Sequence, residues 1–163
     1  MHAFAIDSGQ DKAGLYRDLA AALDALTATE PDAIANMANA AALLWEYLPE
    51  LNWAGFYRAQ GDVLVLGPFQ GKAACIRIPM GEGVCGTAAA RREAQCVADV
   101  SAFPGHIACD AASASELVVP ILDGEALLGV LDLAAPRIGR FDARDVAGMT
   151  AIANLLAPRV REG

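Results

Sequence analysis

Histidine is nearly absent from the 163-residue chain, which has only His2 and His106. Its four cysteines, Cys75, Cys85, Cys96 and Cys109, stand 10, 11 and 13 residues apart. No pair has the short spacing that marks a zinc site, so neither a metal nor any other cofactor is expected. Basic residues are also few: 12 Lys and Arg stand against 20 Asp and Glu, a net charge of -8. Such a surface repels phosphate polymers, which excludes a nucleic-acid partner, and Arg91-Arg92 is the only adjacent basic pair. There is no apolar run of about 18 residues, so no membrane span is expected. The opening "MHAFAIDSGQDKAG" lacks the basic start and long apolar stretch of a secretory signal, and a cytoplasmic protein is the default. In a reducing compartment, four thiols within 35 residues point to redox chemistry or core filling, not to a disulfide framework.

What the chain does have is apolar mass. Hydrophobic residues make up 55% and charged residues 20%, enough for one packed domain over 1–163 without staples. Leu15, Leu19, Leu23 and Leu26 recur at helical spacing. Pro31 then suits the first turn of a second helix carrying Ile34, Met37, Leu44 and Trp45. These N-terminal helices cover about 11–48. From Asn52 the period shortens: "NWAGFYRA", "DVLVLGPF" and "CIRIPM" are extended runs, with Gly61-Asp62 as a hairpin turn. A short helix over "GTAAARREA", a strand at "QCVADV" and two strands joined by "DGE" complete a sheet core over about 52–134. A last helix covers about 141–157. The order of elements predicts an α+β fold, and so short a link makes the final pair antiparallel.

Two stretches carry chemistry. "GEGVCG" matches the glycine pattern of a dinucleotide loop, but the single strand–helix–strand unit around it lacks the parallel sheet such a site needs. Its glycines serve instead to turn the backbone tightly around Cys85. In "FPGHIACDAASASE", Cys109 sits in a loop of small residues whose backbone amides are placed to favour a thiolate. Asp132, inside the apolar run "LLGVLDLAA", needs a ligand or partner, because an unpaired buried carboxylate is costly. Counting outward from Gly124 places Glu116 nearly opposite it across the hairpin. Facing carboxylates need a cation between them or a proton on one. Cys96, in "QCVADV", reads as a core side chain.

The motifs "NWAGFY", "LVLGPFQGK", "IPMGEGVCGTAAA", "AFPGHIACDAASASELVVP" and "GVLDL", in this order, resemble those of the free methionine-(R)-sulfoxide reductases, enzymes built on a GAF domain. The resemblance implies a six-stranded antiparallel sheet with helices on both faces. It implies free methionine (R)-sulfoxide as substrate, thioredoxin as reductant and a homodimer. Cys109 matches the nucleophile, Cys75 the principal resolving thiol, and Cys85 an alternative or relay. Glu116 matches the carboxyl that hydrogen-bonds the sulfoxide oxygen, and Asp132 the carboxylate that holds the ammonium. Trp53 and Tyr57 match the pocket aromatics, and backbone amides around Ile107, Ala108 and Cys109 are placed for the substrate carboxylate. The chain departs from the family where D-x-D would end the "GVL" run, because Ala134 replaces the second aspartate. That departure leaves a non-catalytic GAF sensor of small ligands as one alternative. A general thiol-redox or peroxide-sensing protein is another.

Overall fold

The computed structural model describes residues 3–162, so His2 lies outside the described part. Helix α1 (Lys12–Thr27) starts where the Asp11 side chain accepts the Gly14 N–H at 3.0 Å. It buries Leu15, Leu19 and Leu23. Helix α2 (Ala33–Tyr47) is capped by Asp32, which accepts the Ala35 N–H at 2.8 Å. Pro31 therefore precedes the cap instead of occupying the first turn. The buried stripe of α2 runs through Ala33, Met37, Ala40, Ala41 and Leu44, which leaves Ile34 and Trp45 on its exposed flank, contrary to the sequence expectation.

The sheet consists of β1 (Trp53–Gln60), β2 (Val63–Gly71), β3 (Arg77–Pro79), β4 (Gln95–Val97), β5 (Ser115–Asp123) and β6 (Ala126–Ala135). These six strands are antiparallel throughout, in the order β3-β2-β1-β6-β5-β4. Helix α3 (Gly83–Arg91) lies between β3 and β4, and α4 (Ala143–Leu156) follows β6. Alternation along each strand divides the protein into two layers. Phe56, Leu117, Val119, Ile121, Leu131 and Leu133 face α1, α2 and α4 in the larger core. Trp53, Tyr57, Val118, Val130 and Ala134 face the other way, toward α3 with Val84, Cys85 and Ala88.

Register corrects the expected pairing of the two acids. Asp132 stands opposite Val118, and Glu116 stands opposite Ala134. The turn consists of Gly124 and Glu125 alone, and an irregularity between Ile121 and Leu122 slips the pairing further. The two carboxyl residues thus share a face as diagonal neighbours, not as a facing pair. Cys96 is also corrected. It lies on the three-residue edge strand β4, exposed, with its Sγ 3.6 Å from the Phe141 carbonyl. An edge strand has no outer neighbour to cover it.

Helix α4 is locked to α1 by polar contacts at a buried carboxylate. Asp145 accepts hydrogen bonds from Tyr16 Oη at 2.8 Å and from Lys12 Nζ at 2.6 Å. Asp142 and Asp145 form a capping box at the start of α4. One turn on, Gly148 lies directly against the Tyr16 ring, which occupies the space a Cβ would take. Gly148→Ala is expected to lower unfolding stability by about 1–3 kcal/mol despite its better helix propensity. Urea denaturation checks this, and a stabilised variant would contradict the packing described.

Candidate functional site

The face of the sheet turned toward α3 forms the floor of a cavity, with Trp53 and Tyr57 from β1, Glu116 from β5, and Asp132 and Ala134 from β6. These residues fall together through register: Trp53 is opposite Ala134, and Gly55 is opposite Asp132. Gly55 has no side chain, and Phe69 and the Trp53 ring occupy the space a Cβ would take. The Trp53 ring stacks between Tyr57 and Phe69, with centroid separations of 5.8 and 5.2 Å. The cavity holds about 550 Å³ of empty space, part of it open to solvent.

The glycine loop closes one wall. Gly81 and Gly83 adopt φ of 86° and 64°, a region that favours glycine. The Gly81 N–H donates to the Gly86 carbonyl at 2.8 Å, and a Cβ on Gly86 would strike the Pro79 carbonyl. The chain thus turns directly into α3, whose first turn carries Cys85 into the cavity wall. Within the loop, the Gly81 and Glu82 N–H groups are taken up by the Gly86 and Pro79 carbonyls.

A further wall, adjoining the glycine loop, is the segment between β4 and β5, which brings His106, Ile107, Cys109, Asp110 and Ser113 to the cavity. Cys109 is joined by a disulfide to Cys75, with their Cα atoms 5.4 Å apart. The Cys75 strap is itself held to β1: Tyr57 Oη donates to the Cys75 carbonyl at 3.0 Å, and Trp53 Nε1 to the Lys72 carbonyl at 3.1 Å. Asn52 Nδ2 anchors the other segment, at 3.3 Å from Asp110 Oδ2 and 3.1 Å from Ser113 Oγ. Two expectations change here. Ala108 is exposed and does not line the cavity, because the Cys109 N–H bonds back to the Ile107 carbonyl at 3.0 Å in a tight turn. Among the loop's backbone amides, the Ala112 N–H donates to Asp110 Oδ1 at 2.9 Å and not to the sulfur.

On the floor, Cys85 Sγ lies 3.3 Å from Asp132 Oδ2 and 3.8 Å from Glu116 Oε1. Asp132 Oδ1 is buried without a hydrogen-bond partner among the described residues. Burial pushes Asp132 up to about 6, with Glu116 and Cys85 pulling it back. Burial, reinforced by Asp132, lifts Glu116 well above the ordinary carboxyl range. Burial and both carboxylates raise the Cys85 thiol. His106 Nε2 is 3.9 Å from Glu116 Oε2, and burial lowers its pKa, which favours the neutral ring. Protons therefore sit readily on this floor at neutral pH, and a cationic group would be welcomed there.

Sequence reasoning placed Cys75, Cys85, Cys109, Glu116, Asp132, Trp53, Tyr57 and Ile107 as candidates, and the structure gathers all of them at or beside one cavity. Asn52, His106, Asp110 and Ser113 were missed as site residues. Their signal was proximity to Trp53 and Cys109 in the chain, which says nothing about side-chain direction.

A GAF domain family model matches residues 27–160. The chain is 52% identical to the free methionine-R-sulfoxide reductase of Escherichia coli, over 85% of this chain and 84% of the relative. Among solved structures it is similar to the free methionine-R-sulfoxide reductase of Neisseria meningitidis in complex with its substrate. That likeness has a TM-score of 0.93 and 42% identity, covering 98% of this chain and 96% of the other. The reduced form of fRMsr from Staphylococcus aureus gives a TM-score of 0.86 at 46% identity, over 90% and 95% of the two chains.

The raised Asp132 pKa has a definite sign. Between its ordinary value of 3.8 and about 6, the folded state holds the proton more tightly than the unfolded chain. Its contribution to stability is therefore present below pH 3.8 and lost as pH rises through about 6. Asp132→Asn is expected to stabilise the protein by on the order of 1–3 kcal/mol at pH 8 and by little at pH 4. Thermal unfolding at the two pH values checks this, and an equal gain at both would point to packing instead of charge.

Proposed function

The chain belongs to the GAF-domain family and, within it, to the free methionine-R-sulfoxide reductases, and from that premise we propose that it reduces free methionine (R)-sulfoxide to methionine. One observation carries the reading: the Cys75–Cys109 disulfide sits at the same cavity whose floor holds Glu116 and Asp132. A redox-active sulfur and a protonated acid then reach one small molecule in the same cavity.

In the reduced enzyme, the Cys109 thiolate attacks the sulfoxide sulfur while Glu116, kept protonated by burial, donates to the sulfoxide oxygen. The adduct collapses as the oxygen passes from the methionine sulfur to Cys109 Sγ; the methionine S–O bond breaks, methionine departs, and Cys109 is left as a sulfenic acid. The Cys75 thiol displaces that oxygen as water and forms the disulfide. A dithiol, thioredoxin in this proposal, reopens it by exchange. The observed pairing supports Cys75 as the resolving thiol. Cys85, which faces the carboxylates, serves as the alternative or relay.

Asp132 holds the substrate ammonium, and its unpartnered Oδ1 gives that charge a place to bind. Trp53 and Tyr57 pack the methyl-sulfur end, and backbone N–H groups around Ile107 receive the carboxylate. Ala134, opposite Glu116, leaves the ammonium with one carboxylate on β6 instead of two. The chain works as a single unit, in the cytoplasm and as a homodimer. The homodimer follows the family resemblance, while the single domain and the cytoplasm rest on the length and composition of the chain; no described helix is long and apolar enough to cross a membrane.

A stereospecific assay tests the reading. The reduced protein is expected to consume the R epimer of free methionine sulfoxide, with thioredoxin or dithiothreitol, and to spare the S epimer and peptide-bound sulfoxide. Cys109→Ser is expected to abolish turnover, and Glu116→Gln to cut kcat by about 10²–10⁴. Asp132→Asn should raise KM about tenfold or more, the loss of one charged hydrogen bond. Full activity in Cys109→Ser, or equal use of both epimers, would refute the assignment.

A further inference from the structure

Three ionisable side chains from three elements converge on the cavity floor: Cys85 from α3, Glu116 from β5 and Asp132 from β6. One donor atom from each lies within 4.8 Å of the other two. The reduction above uses Glu116 as an acid and Asp132 as a counter-charge, and it gives Cys85 only the alternative or relay role. A thiol placed against two carboxyls is nonetheless a specific arrangement, because it packs three electronegative groups with no Lys or Arg partner among the described residues, His106 at 3.9 Å from Glu116 being the one basic group beside them. Asp132 is more than nine-tenths buried, and its Oδ1 has no geometric hydrogen-bond partner among the described residues.

The spacing of these donors is that of a coordination shell. A tetrahedral zinc ion, with Zn–S of about 2.3 Å and Zn–O of about 2.0–2.2 Å, sets its sulfur and oxygen ligands about 3.5 Å apart. Here Cys85 Sγ lies 3.3 Å from Asp132 Oδ2 and 3.8 Å from Glu116 Oε1. One sulfur and two carboxylates suit a borderline-soft divalent ion. Magnesium and calcium want six or more oxygens and do not favour sulfur. Three protein ligands leave the fourth corner facing the cavity. His106, with Nε2 3.9 Å from Glu116 Oε2, stands behind that carboxyl as an outer group.

We propose that the substrate-free cavity binds one zinc-class divalent cation through Cys85 Sγ, Asp132 and Glu116, and that this ion and the amino-acid substrate exclude each other. The cation displaces the Cys85 thiol proton to solvent and turns carboxylate repulsion into coordination. Exclusion follows because both occupants claim Asp132 and Glu116, so the metal acts as a competitive inhibitor. Only this second half rests on the reductase reading.

Cobalt(II) titration of the full chain tests the site. The disulfide form is used, because it removes Cys75 and Cys109 and leaves Cys85 and Cys96 as the free thiols. The expected result is one cobalt per chain, with a thiolate-to-cobalt charge-transfer band and the strong visible bands of four-coordination. Zinc should displace it. Cys96→Ser should keep the band, Cys85→Ser should lose it, and Asp132→Asn should weaken binding at least tenfold. A wild-type protein without the band overturns the site, whatever the variants do. So does a band that survives in Cys85→Ser or vanishes in Cys96→Ser. Free methionine sulfoxide should then bleach the band at concentrations where alanine, an equal chelator in solution, does not. A band indifferent to both overturns the exclusion. A chain that binds cobalt as described but reduces no sulfoxide would keep the site and lose only the enzymatic reading.

Discussion

The buried Asp132 carboxylate is the constraint around which the cavity is organised. It lies on a central strand, shielded on one side by its neighbours on the sheet and on the other by the first turn of α3. A charge so placed disfavours the folded state unless something answers it. No basic side chain of the described residues approaches it; a thiol and a second carboxyl do. The fold therefore holds a standing demand for a proton or a cation at one point, and tolerates the cost because the rest of the molecule packs well.

That tolerance comes from the division of labour between the two faces of the sheet. The face against α1, α2 and α4 is closed with Leu, Phe, Ile and Met. The face against α3 is thinner, and its packing is interrupted by a cavity, two carboxyls and three of the four cysteines. Covering a sheet with three helices on one side frees the other side for chemistry. The two straps of the cavity, around Cys75 and Cys109, are irregular segments with little burial of their own. Side chains from β1 and the turn before it hold them: Trp53, Tyr57 and Asn52. The aromatic floor thus both lines the site and ties its redox centre to the scaffold, so aromatic substitutions act on the disulfide as well as on ligand packing.

Much of this was legible in the chain. The leucine spacing marked α1, the shift to a two-residue period marked the sheet, and an aspartate in an apolar run marked the site. The misreadings share one cause. Ile34, Trp45 and Cys96 are apolar residues at element positions, and composition alone does not show which flank a neighbour covers. The pairing of Glu116 with Asp132 was drawn by counting from a turn, and the two-residue turn at Gly124 and Glu125 together with the irregular step between Ile121 and Leu122 moved it. Ala108 was expected beside its neighbours Ile107 and Cys109, but a single backbone hydrogen bond turned it outward.

Local pattern by itself determined the class of fold, the number and kind of elements, and which residue types were out of place, because propensity and periodicity act over a few residues. Proximity was decided only in three dimensions. Cys75 meets Cys109, and Cys85 meets Glu116 and Asp132, because strand register and two loop closures bring together residues tens of positions apart. The proton affinities of those groups follow from the same assembly: burial is a property of the packed molecule, and no stretch of sequence carries it alone.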